Sequence, residues 1–239
     1  MDFADNMKLD RDSWLRLLGV SSDHQKAAET DEKIRTALER LEVQMDEAEE
    51  QLWKKAQPAF AYAVLEREAL DIRGESLTKH LEGCGRIVVS AVTLGHDIDE
   101  LISATQREKI ALGVVMDSGA SVMAELAANI AQERIRGELS ECKKQTADVE
   151  PLFMTERFSP GYGDSPLEMQ TQVLELLDAE KQLGITLSKG FMMSPSKSIT
   201  GIMGLSDHPV KGRLATCAEC VLREKCQLLK EGKRCCSGE

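Results

Sequence analysis

The period of apolar residues changes several times along this chain, and each change marks a different element. Over residues 8–19 (KLDRDSWLRLLG) the spacing fits a short helix that starts at an Asp and stops at Gly19. From 31 to 56, Ile34, Leu38, Leu41, Met45, Ala48 and Leu52 recur at alternating intervals of four and three. That pattern predicts a long helix with one apolar stripe and Thr30 as its N-cap. The stripe is too short for a stable coiled coil, so it predicts a helix lying on the domain. Residues 59–67, after the helix-breaking Pro58, and 85–94 (GRIVVSAVTL) lose the helical period and read as strands. The second is β-branched, almost wholly apolar and bounded by glycine. Asp97 and Glu100 then resemble a capping box. A helical pattern runs on to about 144 and is expected to break near 112–118, where Gly113 and Gly119 flank the junction. A further helix over 168–183 ends at Gly184, framed by extended stretches at 150–158 and 185–205. Strands and helices are interspersed without a regular βαβ period. The expectation is an α+β fold with a mixed or antiparallel twisted sheet and helices. Residues 1–212 are assigned to that domain and 213–239 to a separate Cys-rich, basic tail.

Composition narrows the picture. Hydrophobic residues make up 42% of the 239 but aromatics only 4%, so the core must be mostly aliphatic and Met-rich. A formal net charge of −11 argues against non-specific binding to nucleic acid or to an anionic membrane. No apolar run reads as long enough to span a bilayer. The opening MDFADNMKLDRD is acidic and polar where a signal peptide would be basic and then apolar, so a cytoplasmic location is expected. In that compartment seven cysteines read as thiols or metal ligands rather than disulfides.

The cysteines are unevenly spread. Cys217-x2-Cys220-x5-Cys226-x8-Cys235, followed at once by Cys236, lies in the tail among Lys and Arg residues. A CxxC pair with two further thiolates downstream suits tetrahedral zinc or an iron–sulfur cluster. The spacing matches neither a zinc ribbon nor the ferredoxin run, and a flexible tail of reduced thiols is the alternative. The interleaved cations would offset thiolate charge. Cys84 and Cys142 stand alone and read as ordinary core or surface residues.

Residues 157–164 read RFSPGYGD. An Arg ahead of a rigid Pro-Gly turn suits a carboxylate, because guanidinium presents a planar fork. Gly161 and Gly163 allow close backbone approach, and Tyr162 supplies an amphipathic ring. Glu125 stands in an otherwise apolar run (VMAELAANIA), with Asn129 one turn away on the same face. Each has a plain structural reading too: Arg157 in a surface ion pair, Pro160-Gly161 as an ordinary turn, Glu125 and Asn129 as the wet stripe of a half-buried helix. Met192 and Met193 read equally as core filler.

Taken together, RFSPGYGD, the Leu- and Glu-rich helix VLELLDAEKQLGITL after it and the stretch MMSPSKSITG ending at Gly201 resemble the activation domain of cobalamin-dependent methionine synthase. Order, spacing and residue type agree over residues 157–201. Two weaker correspondences lie upstream, in MAELAANIAQERIR (123–136) and Leu9-Asp10-Arg11-Asp12. The resemblance implies an S-adenosylmethionine site built from Arg157, Pro160, Gly161, Tyr162, Gly163, Glu125, Asp10 (Asp12 being the alternative) and Ser198. Ser196-Lys197-Ser198 reads as a polar loop or as a contact to a corrinoid. The Asp-x-His-x-x-Gly motif by which corrinoid carriers of that family supply a ligand to cobalt is absent. His24, His80, His96 and His208 all lie in other contexts.

The resemblance therefore implies an activation module alone. Its cobalamin would be presented by a corrinoid protein or a short methionine synthase, and an electron donor would complete a reductive methylation. Side chains in such a module place the reactants, so no catalytic side chain is nominated. Two other functions compete: a non-enzymatic sensor of S-adenosylmethionine or a corrinoid protein, and an iron–sulfur electron-transfer accessory.

Overall fold

The computed structural model describes residues 8–145, 152–210, 224–230 and 232. The described chain opens with three helices: α1 (Arg11–Leu17), α2 (Ser22–Ala27) and α3 (Glu32–Lys55). Each begins at a side chain that takes up an orphan amide, as helix N-termini require. Asp10 accepts from Asp12 N, Ser21 from His24 N, and Asp31 from Lys33 N. Asp31, not the expected Thr30, caps α3. The six residues of α2 include none that is buried, so it carried no apolar period to read.

There follow β1 (Ala59–Glu66), α4 (Glu75–His80), β2 (Arg86–Thr93), α5 (His96–Glu108) and α6 (Ile110–Gln145). After these come β3 (Phe153–Met154), α7 (Met169–Leu176), α8 (Ala179–Leu183), a small hairpin of β4 (Thr186–Leu187) and β5 (Met193–Ser194), then β6 (Ser198–Ser206) and α9 (Gln227–Lys230). Four strands pair antiparallel in the order β1-β2-β6-β3, with helices on both faces. This is the expected α+β architecture.

Burial of β2 explains the layers. It is buried from Ile87 to Thr93, so its sequence lacks the alternation of a strand with one wet face. Ile87, Val89 and Ala91 pack with Leu77, Leu81, Phe158, Met169 and Ile202 beneath α4 and α7. Val88 packs with Met203 and Ile135, and Val92 joins the helical layer of α1, α3, α5 and α6.

Helix α6 runs 36 residues through both Gly113 and Gly119, which corrects the expected break at 112–118. These glycines are points of close approach instead. A Cβ on Gly113 would lie 2.8 Å from Gln106 Cα, and one on Gly119 would collide with the Trp14 ring. Trp14 is fully buried there, its Nε1 donating to Val115 O at 2.9 Å. The break falls at Lys109, where φ −138° and ψ 79° end α5. Gly95 (φ +87°) precedes α5 without any side-chain cap, so the Asp97/Glu100 box does not form. Asp97 accepts from Gln57 Nε2 instead. The single helix expected over 168–183 is split at Asp178, which is left-handed (φ 46°, ψ 45°).

One expectation about membranes is also corrected. Ile110–Glu141 is long and apolar enough to cross a bilayer by length and composition, with a window of mean hydropathy 1.5. Inside the molecule 56% of that window is buried, so packing as a core helix accounts for its composition.

Two glycines of α6 should respond oppositely to the same change. Gly137 is exposed with open space around it, and Gly137→Ala should stabilise by about 0.5–1 kcal/mol through helix propensity. Gly119→Ala should cost about 1–3 kcal/mol despite that gain, because Trp14 has nowhere to go. Urea midpoints of the two variants read both signs.

Candidate functional site

Arg157 lies on an extended segment that runs antiparallel to β6 beyond β3. Thr155 N donates to Gly204 O and Phe158 N to Ile202 O, both at 3.0 Å. Successive side chains on such a segment point to opposite faces. Phe158 enters the core beneath α4 and α7, and Arg157 turns toward α6. There Nη2 donates to Glu125 Oε2 at 2.7 Å and to Asn129 Oδ1 at 3.3 Å. Nη1 reaches the same Asn129 oxygen at 3.3 Å and Gln132 Oε1 at 3.4 Å. Glu125, Asn129 and Gln132 follow one another at helical spacing on one stripe of α6. Side-chain exposure is 13% for Arg157 and 54% for Glu125, so the cation is withdrawn while its carboxylate meets water. Buried Gln132 extends the network, donating Nε2 to Glu156 Oε2 at 2.8 Å.

Glu125 and Asn129 of this stripe, with Ser121 one turn earlier, form one wall of a cleft of about 1480 Å³. Residues of α1 and α2, among them Asp12 and Arg16, face it, and residues 196–199 complete the lining. Asp10, Glu125 and Ser198, from three distant parts of the chain, meet at this cleft together with Asn129 and Lys197. Arg157 is outside the lining and touches it through Glu125 and Asn129. Asp10 is engaged in capping α1, accepting from Asp12 N at 3.2 Å and from the Ser13 hydroxyl. Ser198 Oγ is buried, 2.8 Å from Pro195 O and 2.9 Å from Thr93 Oγ1, so its hydroxyl is held inside the fold. Lys197 Nζ bonds Asp117 Oδ1 and Ser121 Oγ, each at 2.9 Å.

The Pro160–Gly163 turn is built against α4. Gly161 (φ +91°) and Gly163 (φ +58°) adopt left-handed conformations that glycine tolerates. A Cβ on Gly163 would sit 2.7 Å from Ser76 Oγ. The Asp164 carboxylate accepts from Glu75 N at 2.7 Å and Ser76 N at 2.9 Å, capping α4 from a remote part of the chain. Bonds from Ser76, first its amide and then its hydroxyl, and from the Glu75 amide hold Asp164 down to a pKa of about 2. Pro160 is buried. The exposed Tyr162 ring meets Phe158 edge-on at 6.4 Å. None of Pro160, Gly161, Tyr162 and Gly163 lines the cleft.

Of the four cysteines read as metal ligands, only Cys226 is described, half-buried just before α9. Cys217, Cys220 and Cys235 lie outside the described residues. Among the described residues no group of three or more His, Cys, Asp or Glu is placed to hold a metal. Cys84 is buried in the core, and burial pushes its thiol pKa up. Two further residues belong to the wider site, Gln132 and Asp164. Gln132 was legible as the next position on the Glu125 stripe. The role of Asp164 was not, because its partners are 88 and 89 residues away.

Residues 78–211 match the family described as vitamin B12 dependent methionine synthase, activation domain. Among solved structures the chain is similar to a crystal structure of the MetH reactivation domain bound to AdoHcy, with a TM-score of 0.60. The two are 18% identical, over 94% of this chain and 82% of that one, which is a likeness of fold. No curated protein matches the chain.

Asp164 makes stability pH-dependent with a definite sign. Its folded pKa lies below the ordinary 3.8, so its contribution is complete above that value and is lost as pH falls from 3.8 toward about 2. Asp164→Ala should lower the melting temperature at neutral pH and flatten its fall across that acid window. Circular dichroism melts at several pH values check both effects.

Proposed function

The chain belongs to the vitamin B12-dependent methionine synthase activation domain family, and from that premise we propose that it binds S-adenosylmethionine and supports reductive methylation of cobalamin held by a separate corrinoid protein. The observation that carries this reading is the Arg157–Glu125 pair beside the cleft. A guanidinium and a carboxylate 2.7 Å apart are complementary to the carboxylate and ammonium of an amino-acid moiety. The AdoHcy of the similar solved domain carries such a moiety beside its adenosine. On this assignment Arg157 takes the ligand carboxylate and Glu125 the ammonium. Asp10, or Asp12 next to it in the lining, takes the ribose hydroxyls, and Ser198 borders the site. Pro160, Gly161, Tyr162 and Gly163 serve the adenosine end, with the exposed Tyr162 ring as the contact surface.

Size supports a site with two occupants. Pockets for one small molecule span roughly 300–1,000 Å³. The cleft exceeds that, which leaves room for a group of the corrinoid partner beside the amino-acid end of the ligand. Cobalamin held by the partner, reduced there by an external one-electron donor, would supply the nucleophile that takes the sulfonium methyl and leaves S-adenosylhomocysteine. This chain binds, orients and excludes water, acting as a methyltransferase component that depends on its partner. The tail from 213 is assigned a part in electron supply, through an iron–sulfur cluster at Cys217, Cys220, Cys226 and Cys235. Zinc at the same thiolates is the redox-silent alternative. A cytoplasmic setting belongs to the same reading.

Calorimetric titration with S-adenosylmethionine tests the site. Arg157→Ala should remove about 1.5–3 kcal/mol, roughly tenfold or more in affinity. Absence of binding by the wild type, with a cobalamin protein added, would sink the assignment. Methylcobalamin formation with a corrinoid partner and a reductant tests the reaction, and binding without transfer points to a sensor. For the tail, protein purified without oxygen should contain iron and absorb in the visible, and Cys217→Ser with Cys220→Ser should abolish both. Wild-type protein with neither iron nor absorption removes the cluster.

A further inference from the structure

Strand β6 carries a glycine where the backbone requires none. Gly201 is not among the glycines with positive φ, so any L residue could adopt its conformation. Glycine in a strand interior is also unfavourable, and there it marks close approach by another group. The neighbours on the same face of β6, Ile199 and Met203, pack toward the α6 side, whereas Ile202 packs beneath α4 and α7. Gly201 therefore faces α6, with the small Ser90 as its partner on β2. Across that gap runs Arg157. A Cβ on Gly201 would lie 2.6 Å from Arg157 Cγ, 2.7 Å from Cδ and 3.0 Å from Ser90 Oγ. Cγ and Cδ are mid-stem atoms, tethered by the backbone at one end and by Glu125, Asn129 and Gln132 at the other. They cannot swing aside as a chain end can.

We infer that Gly201 is a positioning residue for ligand recognition: its missing side chain leaves the trough over which the Arg157 stem crosses the sheet, and that trough fixes where the guanidinium meets an amino-acid carboxylate. The inference rests on the assignment of Arg157 to the ligand carboxylate. Gly204 provides the contrast. A Cβ there would strike Cys84 and approach Leu81 to 3.2 Å, with Arg157 not among its near neighbours. Its role is packing alone.

The test compares Gly201→Ala and Gly204→Ala, each titrated with AdoHcy and with methylthioadenosine, which keeps the adenosine thioether but lacks the amino-acid carboxylate and ammonium. Gly201→Ala should weaken AdoHcy about tenfold and leave methylthioadenosine unchanged. Gly204→Ala should lower the melting temperature without altering the ratio of the two affinities. In the Arg157→Ala background Gly201→Ala should cause no further loss of AdoHcy binding, the signature of two changes acting through one group. Equal weakening of both ligands, or losses that add, would overturn the inference. If the wild type binds neither ligand, the functional assignment itself fails. The placement of Arg157 is then judged by a stability cycle between Gly201→Ala and Glu125→Gln, where coupling upholds the trough and additivity overturns it.

Discussion

Because β2 has no wet face, a layer must cover each side of it, and the rest of the molecule follows from satisfying both. The side of Ile87, Val89 and Ala91 is closed by short elements, α4, α7 and α8. The other side is closed by α6 with α1, α3 and α5 packed around it. A helix as long as α6 overlies the sheet and continues past it, so one stripe serves two purposes. Its apolar positions face the core, Ser121, Glu125 and Asn129 face the cleft, and buried Gln132 stays inside the network with Arg157 and Glu156. Polar groups along that line are partnered rather than stranded: Lys197 reaches Asp117 and Ser121, and Arg157 reaches the next three. The cleft lies between the middle of α6, the start of β6 and the helices α1 and α2.

Close approach without side chains recurs wherever elements cross. Gly113 admits the backbone of α5, Gly119 admits Trp14, Gly201 admits the stem of Arg157 and Gly204 admits Cys84. Each trades local propensity for a tertiary contact, a trade a folded chain makes when packing outweighs about 1 kcal/mol of propensity. Trp14 shows the gain. A fully buried indole with its N–H satisfied by Val115 O ties α1 to α6, and α1 brings Asp10 and Asp12 to the cleft.

This trade also sets what could be read from the sequence. Strands β1 and β2 and helix α3 were legible within a residue and α1 within three, because period and bounding residues are local properties. Glycine meaning was not local. Gly113 and Gly119 looked like a break, and only the partner across the interface decides between a break and a contact. The stripe of Glu125 and Asn129 could be read from helical spacing, yet the ion pair to Arg157 joins residues 32 apart. RFSPGYGD was conspicuous as a string, and its two ends serve different places: Arg157 turns to α6 and Asp164 caps α4. No periodicity could have divided it.

The unequal exposure of the Arg157–Glu125 pair has a consequence for exchange. A charge abandoned in the interior costs about 3–5 kcal/mol, whereas one left at the surface costs about 0–1 kcal/mol. Arg157, 13% exposed and also bonded to the Asn129 and Gln132 oxygens, depends more on a partner than Glu125, which at 54% exposed is open to water. On the proposed assignment Glu125 is the anion the fold itself supplies, and a ligand carboxylate beside Asn129 would share the guanidinium with it while its ammonium meets Glu125.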